Sequence, residues 1–183
     1  MDTSLFLSLA EIAGVFVGFG ALIAVRSGGA GAPHEVAPMR LVVGFGTLTM
    51  IAALAPVTLG GYGLTTHQVL ALSSVLVMVG YAGLLFIQIR APEYKAAKTT
   101  VMAARPRIQN LLEDVAFLAI GGGSALALLA IVLGMAPELE AALYLTVVVL
   151  LLVMAAWTLL WLVFMERRPQ TASGPEELLA TGG

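Results

Sequence analysis

Five long apolar stretches make up most of this chain, and their length limits what it can fold into. Each approaches the roughly 20 residues that an α-helix needs to cross the hydrocarbon core of a bilayer. They cover residues 5–25, 41–63, 67–89, 115–135 and 140–165. Hydrophobic residues are 60% of the 183 residues and charged residues are 11%, a composition too apolar for an ordinary soluble domain. The stretches also lack the alternation of barrel strands, so we predict an all-α, polytopic integral membrane protein with five transmembrane helices.

The basic residues predict how these helices are threaded. All nine Lys and Arg residues lie in three segments, namely Arg26 and Arg40, then Arg90, Lys95, Lys98, Arg105 and Arg107, and finally Arg167 and Arg168. Short loops rich in Lys and Arg stay in the cytoplasm. We therefore predict a multi-pass protein of a bacterial-type inner membrane, with its N-terminus outside and its C-terminus cytoplasmic. In this threading every basic residue faces the cytoplasm.

The chain is predicted to form one five-helix domain, residues 1–168, followed by a flexible cytoplasmic tail, residues 169–183. The basic cytoplasmic loop 90–110 is expected to meet anionic lipid, either as a short helix on the headgroups or as a solvated loop that enforces the threading. The fifth helix is nearly all Leu and Val through LTVVVLLLVMAAW. We expect this helix to face lipid or a neighbouring chain.

Local signals predict where three of the helices begin. Thr65 and Gln68 have the spacing of a capping box for the third helix. Asn110 and Glu113 have a related spacing for the fourth helix. Pro137, followed by two glutamates, is typical of the first turn of a helix and would begin the fifth.

The residue types exclude most enzyme chemistry. The chain has no cysteine, and its two histidines, His34 and His67, lie in loops predicted on opposite sides of the membrane. We therefore expect no thiol chemistry, no metal site and no cofactor. Ser124, in the glycine-rich run GGGSA, has no base predicted near it. The chain is thus predicted not to be an enzyme, and we expect no nucleic-acid partner.

Glycines in the first two helices predict a close contact between them. The words VGFGAL, residues 17–22, and VGFGTL, residues 43–48, are nearly identical and fall at similar depth in an antiparallel hairpin. Small residues allow helix backbones to approach closely in membranes. The glycines expected to pack are Gly14, Gly18, Gly20, Gly44 and Gly46. The alternative is chance repetition in a chain rich in Gly, Val and Leu.

Glu11 is an acidic side chain inside the first apolar stretch. It shares one helical face with Gly14 and Gly18, at spacings of three and seven residues. An ionisable side chain at the centre of the hydrocarbon costs about 2.5–3.5 kcal/mol or more. We therefore expect Glu11 to point into the bundle or into a wet cavity.

Hydroxyl groups are predicted at the depth of Glu11, and together they suggest an ion or proton site. The candidate ligands besides Glu11 are Thr58, Ser73, Ser74 and Thr146. Pro56 is a candidate hinge, because a proline inside a helix frees the carbonyl one turn earlier, near Ala52. The alternative is structural: hydroxyls bond to their own helices, and a protonated carboxyl binds a neighbouring helix.

A second pair of carboxylates, Glu113 and Asp114, lies beside Arg105 and Arg107 in the sequence. They are a candidate cytoplasmic gate, although the dipole of the fourth helix would stabilise them without any such role.

These sequence features lead to two alternative functions. The protein conducts or exchanges protons or small cations through a polar layer around Glu11, or it is a non-enzymatic structural or accessory subunit of a larger membrane complex. The apolar surface of the chain predicts a homo-oligomer or a membrane-complex partner, although the first function is also possible for a monomer.

Overall fold

The computed structural model describes residues 3–26, 33–91 and 107–166, and these residues form five α-helices. The helices are α1 (Thr3–Arg26), α2 (Pro33–Gly60), α3 (Thr66–Arg90), α4 (Arg107–Val132) and α5 (Glu140–Glu166). All five are long and apolar enough to cross a bilayer. The all-helical prediction with five candidate spans is therefore confirmed. The predicted basic loop, except its ends, and the tail 169–183 lie outside the described residues.

The predicted helix starts are correct in one case and need correction in another. At α3 the Thr65 hydroxyl accepts a hydrogen bond from the Gln68 backbone N–H at 3.3 Å, and the Gln68 side chain accepts one from the Thr65 N–H at 3.1 Å. The predicted capping box is thus confirmed. At α4 the prediction is wrong, because the helix begins at Arg107 and Asn110 lies inside it. Pro137 precedes α5, which begins at Glu140.

The second helix is the centre of the bundle. It packs against α1, α3 and α5, while α4 closes the arrangement between α3 and α5. Half of the most apolar window of α2 is buried, compared with 39% for α5 and 17% for α1. Because α5 is more buried than α1, it is not the least buried helix, and the expectation that it faces lipid or a neighbouring chain stays a prediction. The largest fully buried side chains of the core are Phe45, Leu70, Val77, Ile131, Tyr144, Val147 and Val148.

The contact between α1 and α2 uses one glycine from each repeated word. A Cβ atom added at Gly20 would lie 2.9 Å from Cγ2 of Val43, and one added at Gly46 would lie 2.8 Å from Cγ2 of Val17. These distances are shorter than ordinary van der Waals contact. The absence of a side chain at both positions therefore lets the two helices approach closely.

The other repeated glycines do not lie in this contact. Gly44 faces α3, where an added Cβ would collide with Leu84. At Gly14 and Gly18 no described atom outside the local backbone lies within 4 Å of an added Cβ. Gly14 and Gly18 were expected to close the hairpin with Gly20, but they lie outside its contact.

Candidate functional site

Glu11 lies on the exposed face of α1 and not inside the bundle. The buried face of α1 consists instead of Phe6, Ala10 and Ala13, which recur at spacings of four and three residues. Small residues occur on both sides of this helix, so their presence does not identify the side that packs on α2. The prediction that Glu11 points into the bundle is therefore wrong.

The predicted hydroxyl layer divides into two groups. Thr58 and Thr146 are exposed, and each hydroxyl bonds to its own helix. The Thr58 hydroxyl donates to backbone oxygens one turn earlier at 3.0 and 3.1 Å, and the Thr146 hydroxyl donates to the Ala142 oxygen at 2.8 Å. Ser73 and Ser74 are completely buried. Thr58 and Thr146 thus have the local bonding that is common for hydroxyls in membrane helices.

A tyrosine supplies the hydrogen bond that a proline removes from the central helix. Pro56 has no N–H to donate to the Ala52 oxygen, and it is buried in α2. The Tyr144 hydroxyl of α5 donates to that oxygen at 2.7 Å. The Phe6 ring of α1 packs on the Tyr144 ring, with 6.2 Å between centroids. The freed carbonyl predicted from Pro56 therefore already has a donor.

Ser73 of α3 lies beside the Tyr144 hydroxyl. Ser74 is the next residue along α3, and both serines are buried. Neither serine Oγ has a hydrogen-bond partner among the described residues. We refer to the Ala52 carbonyl and the side chains of Tyr144, Ser73 and Ser74 as the buried polar cluster. None of these groups is a carboxylate or a base, and the hydrogen bond among them joins α5 to α2.

Sequence reasoning missed Tyr144 as a member of this cluster. The signal was present, because Tyr144 is the only tyrosine in the aliphatic α5. A buried tyrosine hydroxyl usually has a hydrogen-bond partner. Its partner, however, is 92 residues away in the chain.

A second polar contact joins the starts of α3 and α5. Nδ1 of His67 lies 2.8 Å from Oε1 of Glu140. The Glu140 residue is only 4% exposed, whereas the His67 side chain is 49% exposed. Gly134, in the connection between α4 and α5, has a φ of 64° and lies against the His67 ring. Both ionisable groups were predicted on the same side of the membrane, but their pairing was not predicted.

The remaining candidates do not form a catalytic or metal centre in the described part of the chain. Ser124 is buried in α4, and Gly121 beside it lies against the Tyr81 hydroxyl. Among the side chains that the structure describes, no three His, Asp or Glu residues come together to hold a metal ion. The side chains of Glu113 and Asp114 lie outside the description, so the predicted gate stays a prediction.

Comparison with known proteins does not add a function to this geometry. No family model, no curated protein and no solved structure matches the chain. The features that bear on function are the exposed Glu11, the buried polar cluster and the His67–Glu140 pair.

Proposed function

We propose that this chain is a non-enzymatic subunit of a membrane assembly and that it binds its neighbour through the outer face of α1. The single observation that carries this proposal is the position of Glu11. Its side chain is exposed on a helix of membrane-spanning length. An ionisable group within the hydrocarbon normally faces protein or water, because exposure to acyl chains is costly. A covering helix would remove Glu11 from lipid.

The shape of the same face supports a helix as the neighbour. Gly14 and Gly18 are four residues apart and border Glu11 on one side of α1. Both glycines leave open space beside the backbone. Glycines at this spacing allow a second transmembrane helix to approach closely enough for backbone contacts. The low burial of α1, 17% of its most apolar window, leaves room for such a contact.

Conduction through a polar layer within one chain has less support. The buried hydroxyls of Ser73 and Ser74 lie between α2, α3 and α5, whereas Glu11 is on the outer surface of α1. The side chains that were expected to form one layer are therefore divided between the interior and the surface. A proton or cation path would need Glu11 to act at the contact between subunits.

The assembly is tested with leucine substitutions on α1. We expect Gly14→Leu combined with Gly18→Leu to weaken association about tenfold or more, because two large side chains would separate the helices. The assembly is isolated from the native membrane in mild detergent, and its size is measured for each variant. Gly83→Leu and Gly122→Leu are matched controls, since these glycines are also exposed beside open space. Equal assembly sizes in all variants would refute the proposal.

A flux assay separates assembly from conduction. Proteoliposomes containing the wild-type protein and the Glu11→Gln variant are compared for proton and Na⁺ flux. A subunit without transport activity gives no flux above that of empty liposomes in either case. Flux that disappears in Glu11→Gln while the assembly size is unchanged would replace the subunit proposal with a transport function.

A further inference from the structure

We propose that His67 and Glu140 form a proton-sensitive latch that holds the connection between α4 and α5 against the start of α3. The latch is defined as these two side chains together with Gly134. It does not depend on the face of α1 or on the proposed assembly. Three features support the latch: the Glu140 carboxylate is buried, His67 can supply the opposite charge, and the connection lies close to the His67 ring.

A protonated His67 offers Glu140 a positive charge from a side chain that contacts it directly. No Lys or Arg occurs in residues 3–25, 41–89 or 108–166. His67 is therefore the only side chain in those ranges that can become a cation. Because Glu140 is 4% exposed, little water is available to replace this partner.

The other titratable groups on the elements around the pair cannot neutralise Glu140. The connection carries Glu138, the preceding connection carries Tyr62, and α5 carries Tyr144 one turn further on. On α1 the acidic group is Glu11, and Asp2 precedes the described residues. Each of these groups is neutral or negative, so only protonation of His67 adds a compensating charge.

Protonation changes the strength of the contact without changing its partners. A neutral His67 with its proton on Nδ1 donates a hydrogen bond to the Glu140 carboxylate. A protonated His67 donates the same bond and adds the Coulomb attraction between opposite charges, which is stronger in a poorly hydrated site than in water. The contact therefore tightens when the pH falls through the range in which histidine gains a proton.

The connection between α4 and α5 is placed to respond to this change. Gly134 has a positive φ, and a Cβ added there would lie 3.5 Å from Cε1 of His67. Gly134 thus lies near Cε1 and Nε2 of the His67 ring, and the neighbouring Nδ1 contacts Glu140. The threading predicted from the basic residues places this end outside the membrane. The latch would then report the external pH to the starts of α3 and α5.

Hydrogen exchange of residues 133–140 tests the latch in the full-length protein. His67→Asn keeps an N–H donor near the position of Nδ1 but removes the charge. Near pH 5.5 we expect this segment to exchange roughly twofold to fivefold faster in His67→Asn than in wild type. A rate ratio of this size is expected for an ion pair with one exposed partner. At about pH 8, where histidine is neutral, the two rates should agree within a factor of about two. Comparing both proteins at each pH cancels the intrinsic pH dependence of exchange.

Variants of the two acidic residues identify the partner. The difference in exchange rate between wild type and His67→Asn near pH 5.5 should disappear when Glu140→Gln is also present. It should persist when Glu138→Gln is present instead. An equal ratio at both pH values overturns the proposal, and so does loss of the effect in Glu138→Gln alone. If His67→Asn does not fold, Glu140→Gln is compared with wild type at the two pH values. If the exchange rates of Glu140→Gln and wild type differ more at the lower pH, the latch is supported. The same difference at both pH values rejects it.

Discussion

Replacing Tyr144 by phenylalanine removes one hydroxyl from the interior of the bundle and keeps the ring. The ring would still pack on Phe6 and fill the same space. The Ala52 carbonyl, however, would lose its donor. Pro56 cannot replace this donor, because it is the residue whose N–H would normally bond to Ala52 in an α-helix. The variant therefore leaves a buried backbone acceptor unsatisfied.

The size of the stability loss in Tyr144→Phe follows from the buried environment of this hydrogen bond. An ordinary intramolecular hydrogen bond contributes about 0.5–1.5 kcal/mol, whereas a buried acceptor left without a partner costs about 1–3 kcal/mol. Tyr144 and Ala52 are both completely buried. We therefore expect Tyr144→Phe to lower the free energy of unfolding by an amount in the second range. Tyr62→Phe is the matched control, since Tyr62 is 80% exposed and should change stability by less than about 0.5 kcal/mol.

A double-mutant cycle with Pro56→Ala tests the cause of this loss. Alanine at position 56 restores an N–H that can bond to the Ala52 oxygen within α2. The cost of Tyr144→Phe should therefore be smaller in the Pro56→Ala background than in wild type. Denaturant unfolding of the purified protein in one detergent gives all four free energies. Equal costs in the two backgrounds would show that the hydroxyl does not compensate for the proline.

Two further predictions concern glycines, and both are measured by thermal or denaturant unfolding in detergent. We expect Gly46→Leu to destabilise the protein by about 1–3 kcal/mol, because the new side chain would overpack against the stiff side chain of Val17. Gly83→Leu is the control, since Gly83 lies beside open space and its substitution should not destabilise the protein. Equal effects of the two substitutions would refute the close α1–α2 contact. We expect Gly134→Ala to lower the free energy of unfolding by about 1–2 kcal/mol, because the φ of Gly134 is 64°. Gly122→Ala in α4, beside open space, should leave the stability unchanged or raise it. A Gly134→Ala variant as stable as wild type would refute the turn conformation.

The candidate site was less accessible to sequence reasoning than the helices. Ser73 and Ser74 were selected as candidate ligands at the depth of Glu11, and the structure places both in the interior while Glu11 is exposed. Pro56 was correctly expected to leave the Ala52 carbonyl without its helical donor. The sequence offered no way to choose among donors for that carbonyl. Tyr144 reaches it only because α5 packs on α2 with its tyrosine side inward. Thr58 and Thr146 have the same residue chemistry and similar depth, but their helices turn them outward.

The helical class of this protein, its five candidate spans and the capping box at Thr65 followed from local properties. Length, apolar composition and capping spacing act within one segment, so they can be read without knowing its neighbours. The side of each helix that packs inward is a property of several helices together. Glu11 thus lies on the outside although its face carries small residues, and His67 meets a glutamate 73 residues away. Only the packing of α1, α3 and α5 around α2 decided these positions, because it sets the rotation of each helix about its axis.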